Sequence, residues 1–329
     1  MIKESFMQNT EERKFDYEEA FEQVKNEVDS LLSASPLVIR SYTKHLAVSM
    51  GKFIRAASVI TCAMENDGKI SERAVKMAAA IEIMHLATLV HDDVIDNADL
   101  RRGELTLQKK YGKRTAVICG DYLVCMAMKL AASASDKSNL EEYMQLEIPD
   151  YMGRVCLGEL NQHINNGNID LTVHQYLKII SGKTAALFEA SFFAGAALLE
   201  KDQHVIKKYA KLGHCIGMIF QLTDDCMDFE ESKEIAKKPV QSDYEQNVIT
   251  LPLIYAFKNL ADFKKKAKKH QLTRSEINEA VKQTGGLNYT RLIAQKYYLK
   301  ADTLIKELDV VEDKDRELRF ILDKAYRLI

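Results

Sequence analysis

The chain contains no tryptophan and, in 329 residues, only 14 glycines and 4 prolines. So few turn formers cannot connect the many short strands of a sandwich or barrel, which excludes an all-β architecture. An excess of one charge is also missing, since 46 basic residues meet 48 acidic ones for a formal net charge of -2. With no global field to draw in a polyanion, nucleic acid is excluded as the main partner, and any anion must be held by a local site. The six cysteines, Cys62, Cys119, Cys125, Cys156, Cys215 and Cys226, show no CxxC spacing. They are expected to be reduced core thiols, in keeping with a cytoplasmic location. The first residues, MIKESFMQNTEERKFDYEE, carry charges throughout and lack the apolar segment of a secretory signal. The most apolar stretch, 184–199, is interrupted by Glu189 and falls short of the about 20 residues a bilayer span needs, so no membrane span is expected.

What is present reads as helix. Hydrophobic residues make up 47% of the chain, enough for a large core, and they recur at three- and four-residue spacings. The spacing predicts helices over about 15–32, to about 50, 53–65 and from Ser71 through Asp92. It continues over about 115–134, 139–164, 172–180, 182–200, 203–231, 248–270, 274–284, 289–308 and 312–328, with a kink or break at Pro149. No Gly/Ser/Pro-rich linker or compositional step divides the chain, which is expected to form one all-α domain over 1–329.

One long-range echo stands out. HDDVIDNAD at 91–99 and TDDCMDFEE at 223–231 present the same D-D-x-x-D pattern on two different helices. Asp92 and Asp96, like Asp224 and Asp228, are four residues apart and share a helix face, where like charges repel. Apolar runs, MHLATLV and GMIFQL, lead into both clusters, so the carboxylates are expected to face a cavity. A divalent cation between them would relieve the repulsion, and all-oxygen ligation favours Mg²⁺ with phosphate and water completing its shell.

The segments IEIMHLATLVHDDVIDNADLRRG and GMIFQLTDDCMDF resemble the two aspartate-rich motifs of the trans-isoprenyl diphosphate synthases, the polyprenyl synthetase family. Gly51-Lys52-x-x-Arg55, Gly120-Asp121, Lys183-Thr184, Lys238-Pro239 and Thr250-Leu251-Pro252 follow the family's order, so the similarity covers about 45–260. The resemblance implies an all-α bundle of about ten to thirteen helices around a deep cavity, three Mg²⁺ ions, and head-to-tail (1'-4) condensation of an allylic diphosphate with isopentenyl diphosphate.

It also implies roles. Asp92, Asp96 and Asp224, with Asp228, hold metal, while Asp93 and Asp225 act behind them or through water. Arg101, Lys183 and Lys238 contact the allylic diphosphate, and Lys52, Arg55, His85 and Arg102 hold isopentenyl diphosphate without metal. As sequence neighbours, Arg101 and Arg102 are expected to point to opposite sides, one toward each diphosphate. Thr184 and Gln221 offer oxygen dipoles to the carbocation. Ala87 and Thr88, five and four residues before Asp92, are small where short-chain enzymes commonly carry an aromatic, and Met84, Ile81 and Ala80 follow along the same wall. A product longer than farnesyl is expected, C30 to C35, with geranylgeranyl (C20) as the alternative.

HQYLKIISGKTAALFEASFFAGA is most like the catalytic component of bacterial heptaprenyl-type synthases, so the active form is expected to be a homodimer or a heterodimer with a small subunit. The chain departs from the family at Met50, Ala56, Lys237, Gln241, Asn247 and Val248, usually glycine, proline, glycine, glycine, glycine, and lysine or asparagine, and the glycines lost at Lys237 and Gln241 predict a stiffer or rearranged loop after the second cluster. A terpene cyclase needs no second diphosphate site, a His-Asp phosphohydrolase beginning at His91-Asp92 needs further histidines, and a di-iron bundle needs Glu-x-x-His pairs with both clusters. An inactive regulatory paralogue would not need all six aspartates.

Overall fold

The structure is a computed structural model that describes residues 12–48, 51–134, 150–230, 244, 247–269 and 272–327. Pro149, Met50, Lys237, Lys238 and Gln241 lie outside the described residues. Helices dominate: α1 (Tyr17–Ser33), α2 (Leu37–Ala47), α3 (Ile54–Cys62), α4 (Glu72–Ile95), α5 (Leu107–Tyr111), α6 (Lys113–Ala134), α7 (Tyr151–Ile164) and α8 (Val173–Ile180) come first. A π-turn (Ser181–Ala185) leads into α9 (Ala186–Ala197), followed by α10 (Gln203–Glu230), α11 (Leu251–Asn259), α12 (Ala261–Ala267), α13 (Arg274–Thr284), α14 (Gly286–Leu308) and α15 (Glu312–Tyr326). The helix starts follow local chemistry. Asp16, Thr172 and Thr273 form capping boxes with Glu19, Gln175 and Glu276, and the Ser71 hydroxyl accepts from the Ala74 amide.

Helix α4 runs through the interior, packed against α1, α3, α6 and α9. Ala78, Ala79, Ala80, Ile83, Ala87 and Val90 are buried on it, and the small residues let the neighbouring helices approach closely. Two helices, α4 and α6, are long and apolar enough to cross a membrane by length and composition, which corrects the expectation that no segment reaches that threshold. Helix α4 is apolar because it is surrounded by protein.

Other elements escaped the periodicity. Lys14–Phe15 pairs antiparallel with Ile70–Ser71, and Leu100–Arg101 with Glu104–Leu105. Pairs this short leave no alternation to read. The expected 248–270 helix is broken at Leu260, extended at φ -122 and ψ 89, and the expected start at 182 is a π-turn. All six cysteines are free, but Cys125 and Cys156 are exposed rather than core thiols.

Candidate active site

The C-terminal end of α4 sends its aspartates in two directions. Asp93 is buried and grips Arg101, whose Nε lies 2.9 and 3.0 Å from the two carboxylate oxygens. Asp92 and Asp96 point the other way, toward Lys183 and Glu159. Burial, reinforced by Glu159 and Asp96 against the pull of Lys183 and Arg101, pushes the Asp92 carboxyl up to about 7.

Asp96 borders a cavity of about 720 Å³ that is also lined by Glu159, Lys183, Thr184, Gln221 and Asp225. Lys183 and Thr184 lie on the π-turn, the kind of helix defect that often marks functional sites. Gly158 of α7 makes this turn possible. A side chain there would meet the Lys183 amide at 2.1 Å, so only glycine lets α7 cross against the turn. Lys183 Nζ donates to Glu159 at 2.9 Å. Burial opposes its charge, yet Glu159, Asp92 and Asp96 outweigh burial and hold the ammonium above its usual proton affinity.

The second cluster is arranged differently from the expectation. Asp225 faces the cavity, 1% exposed, accepting from the Tyr176 hydroxyl and from Gln221 Nε2 at 3.0 Å. Asp224 turns outward and pairs with Arg327 at 2.8 Å, and Asp228 is half-buried on the same helix. Thr184 Oγ1 donates to Gln221 Oε1 at 2.8 Å, which leaves the hydroxyl's lone pairs free of that bond.

A second cavity, about 580 Å³, opens on the other side of α4 and is lined in part by His45, Gly51, Glu82, His85, Arg101 and Arg102. Arg101 and Arg102 therefore share one cavity, a correction to the opposed arrangement. Arg101 and Glu104 flank a tight turn formed by Arg102 (φ 53) and Gly103 (φ 87), both left-handed, so strand alternation does not apply across the turn. The hairpin is tied to α2 by His45, whose Nε2 lies 2.7 Å from the Leu105 carbonyl. Gly51 lies against the Arg102 guanidinium, where a side chain would come within 2.9 Å of Nη2.

Arg55, 8% exposed, lies over the Phe188 ring at 4.4 Å, and among the described residues its Nε has no hydrogen-bond partner. Burial lowers its proton affinity to about 10, with Glu82 pulling the other way. His85 is held well below its usual proton affinity by burial and by Arg55, Arg101 and Arg102, so it is neutral near pH 7. Lys52 is exposed.

Of the chain-length candidates, Ile81, Met84 and Thr88 are half-buried, while Ala87 is 0% exposed. The helix explains the split, because five residues rotate Ala87 about 140° from Asp92 and four rotate Thr88 only about 40°. Ala87 is therefore on the packed face, a correction to its placement on the cavity wall. Thr88 Oγ1 donates to the His85 carbonyl at 2.8 Å. His91 turns to α6, with Nε2 3.3 Å from Asp121, away from the cluster that begins beside it. Asn247, in place of the usual glycine, adopts φ 62, a conformation asparagine tolerates, and so keeps the glycine-like backbone at that point of the loop.

Glu82, Glu159 and Tyr176 escaped the sequence reading. A charge inside AAAIEIMHL and a mid-helix glycine before Glu159 were the available signals; nothing distinguishes Tyr176 from a core aromatic.

An all-helical bundle that gathers carboxylates and cations at two cavities beside the end of α4 fits an enzyme that handles diphosphates. The sequence pattern of the Polyprenyl synthetase family matches residues 37–284, and the chain belongs to that family, as a prenyltransferase. It is 32% identical to heptaprenyl diphosphate synthase component 2 of Geobacillus stearothermophilus, over 85% of this chain and 88% of that protein. Geranylgeranyl diphosphate synthase of Saccharolobus solfataricus is 30% identical over 81% and 82% of the two chains. The crystal structure of heptaprenyl diphosphate synthase from Staphylococcus aureus superposes with a TM-score of 0.83 at 31% identity, covering 95% of this chain and 99% of that one.

The family uses a divalent metal, and the donor set here fits one. Burial, with Glu159 and Asp96 adding to it, disfavours the charged Asp92 carboxylate, and a cation beside it would favour that charge. Among the described residues no three His, Cys, Asp or Glu side chains form a group that could hold an ion.

Proposed function

We propose that the chain elongates an allylic diphosphate with isopentenyl diphosphate, head to tail, into an all-trans polyprenyl diphosphate of C30 to C35. The observation that carries this reading is the pair of cavities flanking the end of α4. One combines carboxylates with Lys183, and the other combines arginines with a neutral histidine. In this reading Asp92, Asp96, Asp224 and Asp228 hold Mg²⁺ at the allylic diphosphate, three ions in all, with Asp93 and Asp225 supporting them. Held there, Mg²⁺ would supply positive charge against that developing on the leaving group.

The chain's own residues do the rest. Lys183 adds a fixed positive charge at the leaving diphosphate, with Lys238 as a second cation. Thr184 and Gln221 turn oxygen dipoles to the allylic cation, whose lifetime depends on excluding water. Arg101 steadies Asp93 behind the metal-binding pair. Lys52, Arg55, His85 and Arg102 bind the second diphosphate, where arginine forks grip oxygens in pairs.

The heptaprenyl diphosphate synthases among the named relatives support a long product, and the geranylgeranyl diphosphate synthase supports C20. We further propose a single domain, a cytoplasmic location, and a dimer, either of two copies or with a small partner, the latter supported by the "component 2" in the relatives' names. Purified protein with Mg²⁺, labelled isopentenyl diphosphate and geranyl, farnesyl or geranylgeranyl diphosphate should yield products that can be sized. No incorporation with any primer would overturn the assignment for the chain acting without a partner.

A further inference from the structure

Helix α3 begins without a side chain of its own to cap it. Its N-cap is Phe53, left-handed at φ 53 and with no side-chain hydrogen bond. Yet this is the helix that carries Arg55, and a free first turn would leave amide N–H groups unsatisfied beside the second cavity. The missing acceptor comes from α4. Glu82, 6% exposed, accepts from the Ala56 amide at 2.9 Å, and the Arg55 amide is its second donor.

Position 56 sharpens the point. The family resemblance places a proline there, which has no N–H, whereas Ala56 presents a donor that must be satisfied when buried. Glu82 also lines the same cavity as His85, Arg101 and Arg102 and bears the negative charge that favours Arg55 and Arg102 in their charged forms. Burial keeps its own proton affinity above the usual carboxylate range, offset in part by those amides and arginines. A carboxylate in an anion site weakens anion binding by simple charge, so its presence has to be explained by what it holds in place.

Resting on the assignment of this cavity to isopentenyl diphosphate, we propose that Glu82 is a positioning residue for that diphosphate. From α4 it caps the first turn of α3 and so holds Arg55 in register with Arg102, one turn of α4 before His85. It touches the substrate's anchors rather than the substrate.

The test compares Glu82→Ala, Glu82→Asp and Glu82→Gln. Glutamine keeps an oxygen acceptor at the same reach, whereas aspartate is one methylene short and alanine removes the acceptor. The expected result is a rise of about tenfold in KM for isopentenyl diphosphate in Glu82→Ala, equivalent to about 1.4 kcal/mol, with KM for the allylic primer unchanged. Glu82→Gln should stay within about threefold of the parent, the difference between capping and charge that a merely structural role would not produce. Should Glu82→Ala lose its helical circular dichroism, Glu82→Asp replaces it, with the same selective rise expected. An unchanged KM for isopentenyl diphosphate, an equal rise for both substrates, or a glutamine variant as poor as alanine would each overturn the proposal. Parent enzyme that incorporates no isopentenyl diphosphate overturns the cavity assignment and this proposal together; an active parent with insensitive Glu82 variants overturns only the role of Glu82.

Discussion

Arg327, the C-cap residue of α15, holds its guanidinium 2.8 Å from Asp224. A residue proposed as a metal ligand is thus already paired with a cation from a distant part of the chain, and a metal must displace it. Both partners are partly exposed, at 33% and 45%, so the pair is screened and worth about 0.2–1 kcal/mol. Arg327→Ala should therefore tighten Mn²⁺ binding, read by paramagnetic resonance or calorimetry, by no more than about fivefold. Unchanged or weaker binding would show that Arg327 does not compete with the ion.

Asp92 makes the site pH-dependent, and the sign follows from its direction of shift. Its folded-state proton affinity, about 7, lies above that of an unfolded aspartate, so the metal-free protein loses stability as pH rises from the ordinary carboxylate range through 7. Asp92→Asn should flatten the fall in metal-free Tm between pH 5 and 8. Metal binding needs the ionised form, so Mn²⁺ affinity of the parent should climb across pH 7 and that of Asp92→Asn should not. A parent affinity independent of pH would remove Asp92 from the ligand set.

Much of this was legible in the chain because helical periodicity and the D-D-x-x-D echo are local patterns. Ser71 as an N-cap, Gly51-Lys52-x-x-Arg55 beside α3 and the two aspartate helices could all be read along a single strand of text. The side to which Asp93 and Arg101 turn could not. Asp93 and Asp92 are adjacent in sequence, and only packing decides that one grips Arg101 while the other meets Lys183. The left-handed turn at Arg102 and Gly103 defeats the alternation rule, and Glu159 and Tyr176 become recognisable only when α7 and α8 bring them against Lys183 and Asp225.

The two diphosphates should separate in kinetics. Arg55→Ala, next to Glu82 at the edge of the second cavity, should raise KM for isopentenyl diphosphate by an order of magnitude or more and leave the allylic primer little changed, because a buried charged anchor is worth about 1.5–3 kcal/mol. Lys183→Ala should do the reverse and lower kcat as well, since it also leaves Glu159, Asp92 and Asp96 without their shared cation. Equal weakening of both substrates in both variants would mean that the cavities do not divide the substrates.

The wall along which the product grows is tested by two adjacent residues on different faces of α4. Thr88 is half-buried and lies one turn before Asp92, in line with Met84 and Ile81, whereas Ala87 is 0% exposed in the packed core. Thr88→Tyr should place a bulky ring near the metals, leave both diphosphate sites intact and shorten the product to C15 or C20, with enlarged Met84 or Ile81 giving intermediate lengths. Ala87→Tyr should instead overpack the interface of α4 and cost about 1–3 kcal/mol of stability, seen as a lowered Tm whatever the product length. If Thr88→Tyr is stable and its products match the parent's, while Ala87→Tyr is equally stable and makes shorter chains, then α4 presents the face of Ala87 to the growing chain and the order of the two positions is reversed.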